Sequence, residues 1–203
     1  AALAMTLVAL LTWWSCNAFI PVVSATLGQA AAAASGLDKA ATSALVESWK
    51  TIATTSFNLG GLIGTLLTIP VAKRLGRRPM FAIYFGVSAL ALMATFGLDL
   101  PEETRLYAYF FIGLSVFGVF GSFTYYLPEL YPTRLRATGA GFCYNIGRIV
   151  AAAGPYVVGS VAAAGAGSPA VILNALFAVA FVPLAGLLFI PLVVETRGQT
   201  LPD

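Results

Sequence analysis

The sequence contains no histidine, and only 9% of its 203 residues are charged. Without histidine, Ser-His and Cys-His catalysis, histidine-ligated metal sites and histidine pH switches are excluded. A soluble domain carries about 25% charged residues, and this chain is 59% hydrophobic. Most of its surface is therefore expected to face lipid. We expect no catalytic residue, no metal and no cofactor.

Basic residues outnumber acidic ones, which gives a net charge of +3 and an isoelectric point near 9.0. The basic residues lie in short segments between apolar runs, which favours control of membrane topology over nucleic-acid binding. The two cysteines, Cys16 and Cys143, both lie within apolar runs. Buried thiols are therefore expected rather than a disulfide.

The chain begins at Ala1 within an apolar run, without a methionine or a basic leader. A signal peptide has a shorter apolar core, of about 7–15 residues, behind positive charge. We therefore interpret Ala1 as a point within a longer protein.

Long apolar stretches dominate the chain. A membrane-crossing helix requires roughly 20 mostly apolar residues, and six stretches of this kind can be drawn. They are residues 2–27, 50–72, 79–98, 106–127, 139–163 and 170–194. The alanine-rich segment 28–47 is expected to be an outer loop, with a short helix over Leu37 to Leu45 as the alternative. The predicted fold class is an all-α membrane protein with six transmembrane helices.

The basic residues between the spans are distributed unevenly. If the first end is cytoplasmic, the outer segments hold three of them, Lys39, Lys50 and Arg105. The inner segments then hold seven, which are Lys73, Arg74, Arg77, Arg78, Arg134, Arg136 and Arg197. Basic residues concentrate on the cytoplasmic side of membrane proteins. Both ends of the chain are therefore expected to be cytoplasmic.

Arg148 is the one charge placed deep within a predicted span. At about 1.5 Å per residue from Gly139, it lies roughly 13–14 Å into a hydrocarbon core about 30 Å thick. No acidic residue of the chain is expected at that depth. Three interpretations are open: a structural arginine bonded to carbonyls or to an acid elsewhere, recognition of a substrate carboxylate, or snorkelling to the surface.

Polar side chains are predicted near the depth of Arg148 in three spans. Tyr144 and Asn145 precede Arg148 by four and three residues, so they share its helical face. Gly141 and Ala152 extend that face with small side chains, and aromatic and amide residues at similar depth in the first and second spans extend the set. The candidate substrate-binding residues are Trp14, Asn17, Asn58, Tyr144, Asn145 and Arg148.

Two inner loops and the tail carry recognisable motifs. The first loop reads Lys73-Arg-Leu-Gly-Arg-Arg-Pro79, the second pairs Glu129 with Arg136, and the tail reads Glu195-Thr-Arg-Gly198. In order and position they resemble the D-R-x-G-R-R loop, the E-x6-R element and the P-E-T-K-G tail of the major facilitator superfamily, in its sugar-porter branch. Lys73 replaces the acid of the first motif, and Val194 replaces the proline of the third.

The resemblance implies a transporter of twelve helices that rocks around a central site, in which this chain is the C-terminal six-helix half. The N-terminal half would be its partner, together with the lipid bilayer and a small-molecule substrate. The resemblance also implies a cytoplasmic charge network that gates the inner side, with topology control alone as the alternative. Its members would be Arg74, Gly76, Arg77, Arg78, Glu129, Arg136, Glu195 and Arg197.

Arg148 and the resemblance to the sugar-porter branch together indicate the class of substrate. Relatives that carry monocarboxylates, aromatic acids or sugar acids with protons have a similar Asn-x-x-Arg in this span. We therefore expect a secondary transporter of small organic anions in a bacterial inner membrane. We expect proton-coupled uptake or exchange, with uniport as the alternative. The acid that carries the proton would lie in the other half, since this chain has none within a span. A sugar or polyol transporter is the alternative, and a non-transporting scaffold is a remote one.

Overall fold

The computed structural model describes residues 2–165 and 168–199 as a bundle of helices. Six segments within these residues are long and apolar enough to cross a membrane. The first four are single helices: α1 (Ala2–Ala34), α2 (Lys39–Leu75), α3 (Arg77–Gly97) and α4 (Glu102–Glu129). The predicted fold class is confirmed.

The fifth and sixth spans are interrupted helices. The fifth, Thr133–Ala164, consists of a 3-10 turn (Thr133–Leu135), α5 (Arg136–Ala151) and α6 (Ala153–Ala164). The sixth, Pro169–Leu192, consists of α7 (Pro169–Val179), α8 (Phe181–Gly186) and a final 3-10 turn (Leu187–Leu192). Each interruption precedes a proline by three residues, at Ala152 before Pro155 and at Ala180 before Pro183. Proline has no N–H to donate, so it leaves a carbonyl of the preceding turn without its helical partner.

The predicted loop over residues 28–47 is wrong, because α1 and α2 both continue through it. Only residues 35–38 connect the two helices. The Asp38 carboxylate accepts a hydrogen bond from the Ala41 N–H at 2.8 Å and so caps α2. Alanine has the highest helix propensity, so this segment is helical outside the predicted apolar windows. α2 therefore begins at Lys39, well before the predicted start of its span.

Buried side chains form two clusters, one toward each end of the bundle. One cluster contains Ile20, Leu92, Tyr109, Ile112 and Leu176 among others. The other contains Met5, Met80, Phe81, Phe85 and Tyr126 among others. Large apolar side chains are also exposed on the outside of the bundle, as expected for surfaces that face lipid.

α2 and α4 cross at backbone contact distance. A Cβ added at Gly60 would lie 1.9 Å from the Phe110 carbonyl oxygen, and one added at Gly113 would lie 1.9 Å from that of Phe57. The Tyr84 hydroxyl of α3 donates to the Gly64 carbonyl of α2 at 3.2 Å. Because lipid tails are as apolar as the side chains, close packing of small residues drives such helix association.

Candidate functional site

Arg148 lies in an open cleft between α1 and the interrupted fifth span. The cleft has a volume of about 600 Å³, and we call it the Arg148 cleft. Its lining residues are Trp14, Ala18, Asn145, Arg148, Ile149, Ala152 and Pro155. The wall is therefore mostly apolar, with one guanidinium and one amide, which is the composition of a site for a small organic molecule.

The interruption of the fifth span lies directly beside Arg148. The Ala152 N–H donates to the Arg148 carbonyl at 3.2 Å, and α6 starts at the next residue. Ala152 and Pro155 both line the cleft. Irregular backbone at membrane depth is tolerated where it borders a cavity, so the helix break and the cleft occur together for a physical reason.

The side chain of Arg148 contacts an aromatic ring. Its guanidinium carbon lies 5.9 Å from the centroid of the Tyr144 ring, one helical turn earlier. No carboxylate of residues 2–165 or 168–199 lies within ion-pairing distance of Arg148. The cation thus has an aromatic neighbour and an exposed side that faces the cleft.

Trp14, Asn145 and Arg148 lie together in the cleft, and Tyr144 contacts Arg148 without lining the cleft. The Asn145 amide donates to the Gly141 carbonyl at 2.8 Å, which leaves its oxygen available to the cleft. Asn17 and Asn58 are not among the lining residues of the Arg148 cleft. The Asn58 amide donates to the Thr54 carbonyl of its own helix at 2.8 Å.

Several residues near the site were missed by the sequence analysis. Ala18, Ile149 and Pro155 line the cleft but carry no polar group that marks them in a sequence, whereas Ala152 is one of the small residues predicted on the face of Arg148. The spacing of Trp14 and Ala18, four residues apart on one helix face, is the only local signal for that wall.

The end of the bundle that carries the α2–α3 turn holds a second set of predicted residues, around Arg77 and Glu129. Arg77 at the start of α3 forms an ion pair with Glu129 at the end of α4, with Nε donating to Oε2 at 3.1 Å. The Thr196 hydroxyl donates to the same Oε2 at 2.6 Å. Arg77 also lies over the Tyr125 ring, with 5.6 Å from guanidinium carbon to centroid.

Glu195, beyond the last span, caps the start of α3. Its carboxylate accepts the backbone N–H of Arg77 at 2.9 Å, of Arg78 at 3.0 Å and of Arg197 at 3.1 Å. Partial burial by itself raises the pKa of this carboxyl, but the three N–H donors and the charge of Arg77 outweigh it, so the pKa is lowered. The tail is thereby fixed to the α2–α3 turn.

Gly76 makes this contact possible. Gly76 separates α2 from α3 and has a φ of +100°, a backbone conformation that residues with a side chain rarely adopt. A Cβ at this position would lie 2.7 Å from Glu195 Oε2. Arg78 supports the same contact, since its Nε donates to the Val193 carbonyl at 2.7 Å.

The remaining members of the predicted network differ in their contacts. Arg136 donates from Nε to the carbonyls of Pro128 at 3.1 Å and of Tyr131 at 3.4 Å, at the turn between α4 and the fifth span. Arg197 takes part through its backbone N–H. Arg74 is exposed and makes no hydrogen bond or ion pair with the residues that the structure describes.

Arg105 was predicted to lie in an outer loop. In the structure it is buried in the first turn of α4, with 4% of its surface exposed. It donates to the carbonyls of Thr95 at 3.1 Å and of Leu100 at 3.3 Å. It therefore ties the end of α3 to the start of α4. Only tertiary packing identifies this role, because the side chain follows two acids in an ordinary loop pattern.

Six apolar spans, a cleft that contains the Arg148 guanidinium and an ion-paired cluster at the α2–α3 turn are features of an integral membrane protein of the transporter class. Comparison with known proteins also indicates a transporter. A family model described as "Sugar (and other) transporter" matches residues 63–203. The chain belongs to this family of the major facilitator superfamily, whose members are transporters and not enzymes.

Three relatives indicate the range of the family. The chain is 34% identical over 142 residues to a putative metabolite transport protein of Haemophilus influenzae, which is 70% of this chain and 34% of the relative. It is 36% identical over 143 residues to a probable 4-methylmuconolactone transporter of Cupriavidus pinatubonensis, 68% of this chain and 32% of the relative. It is 26% identical over 113 residues to the gallate transporter of Pseudomonas putida, 56% of this chain and 25% of the relative.

The match thus spans about a third of the length of the first two relatives, 34% and 32%.

Proposed function

We propose that the intact protein is an alternating-access secondary transporter of small organic anions, such as a monocarboxylate, an aromatic acid or a sugar acid. This chain, residues 1–203, would supply the C-terminal six-helix half. The observation that carries the proposal is the guanidinium of Arg148, exposed to an apolar cleft in the middle of a span.

The position of Arg148 favours an anionic ligand. A cation in the hydrocarbon region is costly unless it meets a partner, and no carboxylate among the described residues pairs with it. A guanidinium offers a planar set of donors that matches a carboxylate. Trp14, Ile149 and Pro155 would contact the organic part of the ligand, and Asn145 would supply a neutral polar group.

The names of two relatives are consistent with this class of ligand. Gallate is an aromatic carboxylate, and the Pseudomonas putida protein is named as its transporter. The Cupriavidus pinatubonensis protein is named for 4-methylmuconolactone, another small organic acid. The family description, "Sugar (and other) transporter", also includes neutral substrates, so the decisive question is whether the ligand is charged.

The rest of the transporter is proposed from the same resemblance. An N-terminal six-helix half would cover the Arg148 cleft, as two halves enclose a central site in this superfamily. Any acid that carries a proton for symport would lie in that half. Both ends of this chain would be cytoplasmic, in a bacterial inner membrane, since basic residues predominate in the segments assigned to that side.

The contacts of Arg77, Glu129 and Glu195 are proposed to stabilise the state that is closed on the cytoplasmic side. They join the start of α3, the end of α4 and the tail into one unit. A transporter that opens toward the cytoplasm must move such elements relative to the other half, so these contacts would set the cost of opening.

Thermal stabilisation of the intact protein by ligands tests the substrate class. A ligand at a hundred times its Kd adds about 2.7 kcal/mol of apparent stability. We expect stabilisation by carboxylates such as benzoate and gallate, and none by matched neutral sugars. The Arg148→Gln variant should lose the stabilisation.

The matched control is Arg134→Gln, which removes an exposed arginine that makes no hydrogen bond or ion pair with described residues. It should keep the response to carboxylates. Stabilisation by sugars alone, unchanged in Arg148→Gln, would refute the anion proposal and identify Arg148 as a structural residue.

A further inference from the structure

A second cleft is lined by Tyr144, whose ring contacts Arg148. Its volume is about 480 Å³, and it extends toward the end of α4 and the start of α5. We call it the inner cleft. Its lining includes Thr65, Phe120, Thr124, Ala140, Gly141 and Tyr144. Since Tyr144 lines the inner cleft and also contacts Arg148, the two clefts meet at this ring.

Three aromatic rings pack in a row beside the inner cleft. The Phe120 and Tyr144 rings meet edge to face, with centroids 5.8 Å apart. Phe120 in turn stacks on Trp13 at 5.3 Å. The row of rings therefore runs from α1 through α4 to α5, and two of its members, Phe120 and Tyr144, line the inner cleft.

We propose that the Phe120–Tyr144 pair is the constriction through which a ligand passes from Arg148 to the inner side. The inference rests on the proposed transport function. It assigns a role to Phe120, an apolar residue that the sequence does not single out as a site residue. Phe120 is a positioning residue, because it holds the Tyr144 ring and does not contact Arg148 by any described interaction.

The surroundings of Tyr144 allow its ring to move. A long side chain on a helix covers the turn that precedes it, and Gly141 lies in that turn. No atom lies within 4 Å of the position that a Cβ would take at Gly141. The Tyr144 ring is only half-buried. Space is therefore present on the side toward which the ring would swing.

The contact between Arg148 and Tyr144 connects the constriction to ligand binding. The guanidinium lies near the face of the Tyr144 ring, 5.9 Å from its centroid. A carboxylate is a stronger partner for a guanidinium than an aromatic ring is. A bound anion would therefore weaken the hold of Arg148 on Tyr144 and favour opening of the constriction.

Cysteine labelling in the intact protein, reconstituted in inverted vesicles, tests the constriction. Cys16 and Cys143 are first replaced by alanine. Ala152→Cys then reports on the Arg148 cleft, and Thr124→Cys reports on the inner cleft. A membrane-impermeant thiol reagent is added from the cytoplasmic side. Phe120→Ala should raise the labelling rate at position 152, relative to position 124, by about tenfold, since it removes an aromatic pair.

Two variants serve as references for Phe120→Ala. Phe120→Tyr keeps the ring and should leave the ratio of labelling rates near that of the parent. Phe111→Ala removes an exposed phenylalanine of the same helix that lines neither cleft, and it should also leave the ratio unchanged. If Phe120→Ala does not fold, Tyr144→Ala against Tyr144→Phe provides the same comparison.

An equal ratio in Phe120→Ala and Phe111→Ala would overturn the constriction. Benzoate-dependent stabilisation of the same proteins separates this failure from failure of the proposed function. Stabilisation with an unchanged labelling ratio would leave the anion site in place and refute only the constriction. A raised ratio without stabilisation by any carboxylate would support the constriction and refute the anion proposal.

Discussion

The Glu195 carboxylate and the Gly76 backbone meet in a contact that depends on both residues. Glu195 accepts hydrogen bonds from the first N–H groups of α3, which have no partner within the helix. A carboxylate at a helix start is also favoured by the helix dipole. Gly76 permits the close approach because it has no Cβ and adopts a positive φ.

We predict that Gly76→Ala lowers the free energy of unfolding by about 1–3 kcal/mol. The added Cβ brings backbone strain and also displaces the Glu195 carboxylate from α3. The measurement is the thermal unfolding temperature of the purified intact protein. Gly36→Ala is the control, because Gly36 has a positive φ of 64° but open space around it. Equal losses in the two variants would mean that the Glu195 contact contributes nothing.

The lowered pKa of Glu195 implies that the stability of the protein depends on pH. Its pKa is lowered in the folded protein, so the contribution is complete above the ordinary glutamate pKa, about 4.3. It is lost as the pH falls below that value and the carboxylate is protonated. Glu195→Gln should therefore be less stable than the parent at pH 7, and the difference should shrink on acidification toward pH 3.

The pH series is measured as unfolding temperature for the parent, Glu195→Gln and Glu103→Gln. Glu103 is exposed in the first turn of α4 and makes no described hydrogen bond or ion pair. It should follow the parent at every pH. A constant difference between the parent and Glu195→Gln down to pH 3 would contradict the role assigned to the carboxylate.

At the scale of helices, the crossing of α2 and α4 holds the bundle together at its centre. Glycines of each helix lie against carbonyls of the other, at Gly60, Gly64 and Gly113. Both helices also contribute to the sites: α4 carries Phe120 and Glu129, and α2 ends at the turn that Glu195 caps. The position of the aromatic row and of the inner contacts therefore depends on this crossing.

We predict that Gly60→Ala costs about 1–3 kcal/mol of stability, since a methyl group at this site collides with the backbone of α4 and not with a flexible side chain. Unfolding temperature in detergent measures the effect. The matched change is Gly86→Ala in α3, where no atom lies within 4 Å of the added Cβ. Gly86→Ala should be neutral or slightly stabilising, and equal effects of the two substitutions would exclude the close crossing.

At the scale of the whole molecule, the expected orientation places the α1–α2 connection outside and the α2–α3 turn inside. In the protein without native cysteines, Ser35→Cys should react with an impermeant thiol reagent in intact cells. Lys73→Cys should react only in inverted vesicles. Both residues are exposed, so accessibility does not confound the comparison. The reverse pattern would overturn the orientation, and with it the cytoplasmic assignment of the Glu195 contacts.

Features that depend on composition and local spacing can be predicted from the amino-acid sequence. Long apolar runs predict six spans because a helix in lipid must be apolar over its full crossing length. The depth of Arg148 and its shared face with Tyr144 and Asn145 follow from helix geometry alone. The loop motifs identified the superfamily, which the family match confirmed.

The tertiary structure decided how the helices are rotated and which distant residues meet. Trp14 lines the Arg148 cleft while Asn17 and Asn58 do not, because the rotation of each helix selects one face. The burial of Arg105 and the contact of Glu195 with Arg77, 118 residues apart, arise from packing between separate segments. Such contacts depend on the positions of several helices at once, and no local pattern in the sequence encodes them.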